Sequence, residues 1–231
     1  MLELFPDGFE EVERPDGVEL IAYTDAQGEE HVWRAFGTAA AADVADGWED
    51  RWREFHRPVR VGRLWIGQPW QTPPADALAV VIDPGRAFGT GAHPTTRLTL
   101  SLLDGLPRGS VLDVGCGSGV VAIAAAKLGF GPVEAIDAED AAIEATRRNA
   151  SANGVAVRAE RRDARTGRPL SADVVVANVT RELVEQVAPR VDALHYITSG
   201  YLMTVPERLP RHRHVRRVSA DGWAADLFMR Q

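Results

Sequence analysis

The run Val111-Leu112-Asp113-Val114-Gly115-Cys116-Gly117-Ser118-Gly119 constrains the fold of this chain more than any other segment. Its first residues have the make-up of a buried strand. The three glycines then let the backbone turn tightly and approach a ligand where a side chain would collide. Val120, Ile123, Ala124, Lys127 and Leu128 recur at i, i+3, i+4, i+7 and i+8. This spacing predicts a helix with one apolar face, flanked by the aliphatic stem of Lys127 and ended by Gly129. A strand running into a glycine turn and then a helix is the unit of a parallel sheet. Such sheets bind ligands in the crevice at the carboxyl ends of their strands.

The alternation extends to both sides of that unit. Pro94 opens a helix through Leu103. Strands are predicted over 110–114, 132–137, 155–162, 172–178 and 194–199, with helices over 139–152 and 181–191. Two antiparallel strands are expected within 214–230 around Asp221-Gly222. Seven strands in this pattern call for a doubly wound, mostly parallel α/β sheet covered on both faces. The connection from Gly200 to His214 is short and holds Pro206 and Pro210, which leaves room for a turn but not for a full crossover helix. Arg208 to Arg217, with His212 and His214, reads as a charged edge strand rather than an RNA contact.

Upstream the pattern differs. Strands are predicted over 17–25 and 31–36, joined by a turn around Gln27 and Gly28. A helix is predicted over 39–57, with Trp48, Trp52 and Phe55 on one face and Pro58 as its stop. Short strands follow over 62–70 and 78–83. Gln71 to Ala75, with Pro73 and Pro74, reads as a linker. The expected organisation is a small partial α+β module over 1–37, a linker helix and strand over 38–75, and the α/β domain over 76–231.

With 231 residues, 45% of them apolar, the chain can fill one core and a small extra module. No run approaches the ~20 apolar residues of a membrane span. The acidic start, Met1 to Glu13, lacks the basic-then-apolar order of a signal peptide. A single cysteine, Cys116, excludes an internal disulfide and points to a reducing, cytoplasmic setting. No His/Asp/Glu cluster has the spacing of metal ligands, so no metal is expected. Residues 1–75 hold 15 acidic residues against 7 arginines, a balance of −8, whereas residues 76–231 stand at +1. An acidic surface repels nucleic acid and attracts basic partners. The single lysine beside 25 arginines reflects composition rather than mechanism.

The glycines at 115, 117 and 119, with valine at 120, fit a dinucleotide fingerprint poorly, and no P-loop Gly-Lys-Ser/Thr is present. Asp113 beside the turn would repel a diphosphate. It suits a ligand with a positive end, such as the ammonium and sulfonium of S-adenosylmethionine. Asp137 ends the next strand, where a carboxylate can accept from both hydroxyls of a ribose. Either aspartate taken alone can also be read as a helix cap, the lesser of the two readings.

The segment Asp83-Pro84-Gly85-Arg86-Ala87-Phe88-Gly89-Thr90-Gly91-Ala92-His93-Pro94-Thr95-Thr96 resembles the signature of the PrmA family, which methylates ribosomal protein L-eleven. Trp48-Glu49-Asp50-Arg51-Trp52 through Phe55-His56 and Pro58, Arg63-Leu64-Trp65-Ile66, and Val176-Ala177-Asn178-Val179 are similar to it as well. The resemblance implies a class I, Rossmann-like methyltransferase with S-adenosylmethionine as cofactor and ribosomal protein L-eleven as partner. The cofactor is then expected against Thr96, Gly115, Asp137 and Asn178, under a loop of Phe88, Gly89 and Thr90. Asp113, Gly117 and Gly119 complete the expected binding set. Asn178 and Thr96 are the expected catalytic pair, Asn178 to hold an incoming amine by its amide. The next residues, Val179-Thr180-Arg181, lack the Pro-Pro-aromatic run that accompanies methylation of planar amides, which favours an amine acceptor. His93 reads as a structural hydrogen-bonder before proline rather than a base. Family members carry a complete ferredoxin-like N-terminal domain that grips the ribosomal protein. By the resemblance this chain begins within it, in the tail of its first helix and without its first strand. Small-molecule or other-protein amine methylation on the same fold, and an inactive cofactor-binding or ribosome-assembly module, are the competing readings.

Overall fold

The computed structural model describes residues 10–14, 17–21, 32–37, 39–40, 57–83, 91–205, 208–209 and 211–231. The chain divides into two compact units, Met1–Glu54 and Phe55–Gln231.

In the first unit β1 (Glu10–Arg14) and β2 (Gly17–Ile21) form an antiparallel hairpin with Arg14 opposite Gly17 and Glu10 opposite Ile21. The strand expected over 31–36 is not formed. Residues 32–36 are helical, and the Gly37 amide, in left-handed backbone at φ 71°, closes the turn on the Trp33 carbonyl at 3.0 Å. Arg34 and Ala35 are good helix formers, and a left-handed glycine ends a helical turn. The partner of β2 is instead Glu10–Arg14, whose four charges in five residues give no apolar alternation to read. Most of the helix expected over 39–57, residues 41–56, lies outside the described residues.

The second unit begins with β3 (Val59–Val61), β4 (Leu64–Gly67) and β5 (Leu78–Val81), a three-stranded sheet in which β4 pairs antiparallel with β3 and parallel with β5. Gln71 to Ala75 therefore joins two paired strands within this unit. Then come α1 (Pro94–Asp104), β6 (Val111–Val114), α2 (Val120–Lys127), β7 (Val133–Asp137), α3 (Asp140–Ala152), β8 (Arg158–Arg161), β9 (Leu170–Asn178), α4 (Arg181–Val187), β10 (Val191–Leu202), β11 (His212–Ala220) and β12 (Trp223–Arg230). A 3-10 turn, Ala188–Arg190, leads into β10. Among the described residues 203–211, the connection from β10 to β11 makes turns and a Leu209–His212 bridge, with no helix.

The main sheet has the order β11-β12-β10-β9-β6-β7-β8. From β10 to β8 every pairing is parallel, and β12 runs antiparallel to both of its neighbours. Side chains alternate through the central strands. Val111, Val174, Val176 and Ile197 face one core with Leu100, Ile123 and Ile143 of α1, α2 and α3. Leu112, Val114, Val175, Ala177 and Tyr196 face the other with Val184 and Val187 of α4. Burial on both faces explains why these strands are continuous apolar runs.

The antiparallel end is locked by a polar cluster. Asp226 of β12 is fully buried and accepts from Tyr201 Oη (2.8 Å), His214 Nε2 (2.9 Å), Arg217 Nε (2.9 Å) and Arg217 Nη2 (2.7 Å). Arg217 also donates to the carbonyls of Met203 and Val205 at 2.9 Å. Burial works to raise the Asp226 carboxyl, but the donors and the Arg217 charge leave it below the usual carboxylate range. Thus β11 is the edge strand, yet His214 and Arg217 point inward to a carboxylate rather than into solvent. Asp226→Ala removes the carboxylate that neutralises Arg217 and should cost about 3–5 kcal/mol, as breaking a buried pair does. Urea unfolding should show this as a lower midpoint at unchanged slope.

Candidate active site

The site lies at the carboxyl ends of β6, β7, β8 and β9. The chain leaves β6 through Gly115, Gly117 and Gly119, all in left-handed backbone. At Gly115 (φ 72°) a Cβ would overlap Val179 Cγ1, so only glycine lets this turn pass beneath the segment that follows β9. Gly200, at the irregularity in β10, meets the same residue from the other side: a Cβ there would overlap the Val179 carbonyl. The Val179 amide donates to Ser199 O at 3.1 Å.

Asp137, the last residue of β7, accepts from the Gly117 amide through Oδ2 and from the Glu139 amide through Oδ1, each at 3.1 Å. Each oxygen keeps a lone pair for a further donor. Asp113 is placed differently. It is 2% exposed, and its carboxylate accepts from the Ala122 amide in the first turn of α2 at 3.1 Å. Burial pushes its carboxyl up to about 7, partly offset by that amide, and the nearby Asp137 adds to the rise.

A cleft of about 350 Å³ opens over these strand ends. Val114, Gly115, Ile136, Ala138, Ala164 and Leu183 give it apolar walls, while Asp137, Asp163 and Thr180 bring polar groups into it. Of the expected cofactor residues, Gly115 and Asp137 line this cleft. Asp113 in β6, Gly117 in the turn and Gly119 at the start of α2 are not part of its lining. Phe88, Gly89 and Thr90 lie outside the described residues.

Thr96 and Asn178 are brought together. Thr96 sits in the first turn of α1, 3% exposed, and Asn178 ends β9; Asn178 Nδ2 donates to Thr96 Oγ1 at 3.3 Å. Their position has local causes. Pro94 at the helix start needs no amide partner, and His93 caps the helix, its Nδ1 accepting from the Thr95 amide and standing 2.8 Å from Thr95 Oγ1. The His93 ring meets Trp223 edge-on at 4.8 Å. Burial, and next the Arg97 charge, lower its pKa and keep it neutral, as an acceptor must be. Arg97 pairs with Asp221 at 2.7 Å and ties α1 to the β11–β12 turn.

Asp163 was not singled out by its sequence context. It directly follows the strand predicted to 162, the same kind of strand-end place as Asp137, and that is the signal by which it can be found. Arg165 donates to it through side chain and backbone and holds its carboxyl down to about 2. Among the described residues no three His, Cys, Asp or Glu side chains are grouped to hold a metal ion, and no helix is long and apolar enough to cross a membrane.

A seven-stranded sheet of this order with a glycine turn after β6, its first parallel strand in sequence, and a carboxylate at the end of the neighbouring β7, defines the class I methyltransferase fold. The profile described as "Ribosomal protein L11 methyltransferase (PrmA)" matches residues 14–216, and the chain belongs to that family. It is 45% identical over 169 residues to the ribosomal protein L11 methyltransferase of Serratia proteamaculans, covering 68% of this chain and 57% of that protein. The Edwardsiella ictaluri protein of the same name is 47% identical over 154 residues, 64% of this chain and 52% of that protein. The chain thus spans little more than half the length of these curated relatives. The crystal structure of a ribosomal protein L11 methylase from Lactobacillus delbrueckii subsp. bulgaricus superposes with a TM-score of 0.68 at 26% identity, over 76% of this chain and all of that one. The Escherichia coli putative methyltransferase yhhF (TM-score 0.51, 15% identity, 58% of this chain and 86% of that one) shares the fold.

The buried Asp113 generates a pH-dependent expectation. Its folded pKa lies above the unfolded value, so the folded state binds the extra proton between about pH 4 and about pH 7, and stability falls as pH rises through that window. Asp113→Asn keeps an acceptor for Ala122 without the charge. Its stability relative to wild type should rise through the window at up to about 1.4 kcal/mol per pH unit and level off above it. Chemical unfolding at a series of pH values checks this, and parallel curves would show that Asp113 ionises freely.

Proposed function

We propose that this chain transfers a methyl group from S-adenosylmethionine to amino groups of ribosomal protein L11, on lysine side chains or the N-terminal amine. The observation that carries this reading is that the carboxyl ends of β7 and β9, the two strands beside β6, hold respectively Asp137 in the cleft and the Thr96–Asn178 hydrogen bond.

The residues fit the cofactor. Gly115 lines the cleft with backbone alone, and both Asp137 oxygens keep an acceptor position suited to a pair of ribose hydroxyls. The apolar walls from Ile136, Ala138, Ala164 and Leu183 suit an adenine ring, with Asp163 as acceptor for its amino group. Phe88, Gly89 and Thr90 are assigned to the loop over the cofactor, and Asp113, Gly117 and Gly119 support it from below. When bound, S-adenosylmethionine supplies an electrophilic methyl group on a sulfonium.

The protein's share is orientation. With Nδ2 engaged by Thr96, Asn178 Oδ1 is left to accept an N–H of the incoming amine, and an amine held by its N–H keeps its lone pair for the methyl group. Alignment of this kind contributes roughly 7–11 kcal/mol in favourable cases. The amine must arrive neutral. A poorly hydrated pocket lowers a lysine pKa, and solvent takes the proton. The excess negative charge of residues 1–75 attracts a basic protein and acts chiefly on the association rate. We assign the first unit to recognition of that protein, in the cytoplasm.

Asp137→Ala should weaken binding of S-adenosylhomocysteine by about 1.5–3 kcal/mol, the scale of hydrogen bonds to a charged group. Calorimetry showing equal affinity would remove Asp137 from the ribose site. Asn178→Ala and Thr96→Val should lower kcat far more than cofactor affinity; a proportional loss of both would make the pair a cofactor-binding element. Methylation of ribosomal protein L11 compared with a panel of free amines tests the substrate, and the rate on the protein should fall as salt rises. Turnover of the free amines alone would overturn the assignment to L11.

A further inference from the structure

Eight residues, 162–169, carry the chain from β8 to β9 without a helix or strand. Arg162, Asp163, Ala164 and Arg165 of this loop form one wall of the cleft. Some of its order is local: the Arg165 amide donates to Asp163 Oδ1 at 2.9 Å, and the Thr166 amide to the Asp163 carbonyl at 3.2 Å. Arg162 Nη2 also donates to the carbonyls of Arg168 and, at 3.3 Å, Pro169, and a further partner comes from outside the loop. Arg190, outside the cleft lining, donates through Nε to Ala164 O (3.0 Å) and through Nη2 to Thr166 O (2.7 Å), Gly167 O (2.6 Å) and Arg168 O (3.0 Å).

One guanidinium thus gathers four backbone carbonyls. Its donors sit on two separated nitrogens, so Nε reaches Ala164 while the two N–H groups of Nη2 are shared among the 166–168 carbonyls; a lysine ammonium presents its donors from one atom only. The base of the fork is firm. Arg190 ends the 3-10 turn before β10, and the next residue, Val191, pairs with Leu170, the first residue of β9. The arginine therefore ties the loop to a strand of the central sheet. Its charge also contributes to keeping the Asp163 carboxyl ionised.

We propose that Arg190 is a positioning residue for the adenosine end of the cofactor cleft, holding the 162–168 loop so that Asp163 and Ala164 stay on the cleft wall. This inference rests on the reading of the cleft as the cofactor site. It assigns to Arg190 no contact with cofactor or substrate. Without the clamp the loop samples other conformations, and affinity falls by the fraction of time spent in the competent one.

The test uses the full chain and two probes, S-adenosylhomocysteine and methylthioadenosine, the latter lacking the amino-acid end. For Arg190→Ala, titration calorimetry should show both affinities reduced by a similar factor, about tenfold if the competent loop is populated about a tenth of the time. The KM for S-adenosylmethionine should rise in step, while kcat at saturating cofactor stays near wild type. Hydrogen exchange should speed up at amides of 162–169 and not in β9 or β10. Arg190→Lys should recover part of the affinity, and it carries the test if Arg190→Ala fails to fold. Unchanged affinities in a folded variant would overturn the proposal, as would a loss of kcat at saturation or faster exchange throughout the sheet, either of which would mark a general structural role. Wild-type protein that binds neither probe would overturn the cofactor reading itself, and this inference with it.

Discussion

Val179 is gripped from two sides by backbone that tolerates no side chain. Gly115 passes beneath its methyl group and Gly200 against its carbonyl, and the Val179 amide closes on Ser199. Three parallel strands, β6, β9 and β10, are thereby drawn together at their carboxyl ends to within van der Waals contact. Asn178 on one flank of Val179 meets Thr96, and Thr180 on the other lines the cleft. Both halves of the site therefore depend on one close-packed crossing. Each glycine holds a positive φ there, so a substitution meets both backbone strain and collision.

Much of this was legible in the sequence, for physical reasons that differ from segment to segment. The central strands are buried on two faces, and so 172–178 and 110–114 read as apolar runs at close to their observed lengths. The α2 face and the Asp221-Gly222 turn follow from periodicity and from turn chemistry. Asp137 stands at the strand end and on the cleft where its place after the second strand of a doubly wound sheet suggests. The Thr96–Asn178 partnership came from the family resemblance alone, since 82 residues separate the two and no local pattern joins them.

The misses share a cause as well. Residues 31–36 alternate weakly enough to suit either period, and the true partner of β2 is a charged segment without an apolar signature. Asp163 escaped because a carboxylate in an Arg-rich loop looks like ordinary surface. The inward turn of Arg217 and His214 was hidden because Asp226, the residue that draws them in, lies on the following strand and reads as one more charge. Polar residues reveal their direction only through partners, and these partners lie across the sheet.

The sheet order has a bearing on assembly. β12, which follows β11 in sequence, is an interior strand, seated between β10 and β11. Without β12 the edge strand β11 has no neighbour in the sheet, and the parallel strands β6 to β10 have one open flank. Residues 223–230 close that flank, pair on both sides and bring Asp226 to Arg217. The same stretch sets Asp221 within reach of Arg97 on α1. The β12 segment thus joins the edge strand to the parallel sheet and, through the preceding Asp221, to the helix that carries Thr96.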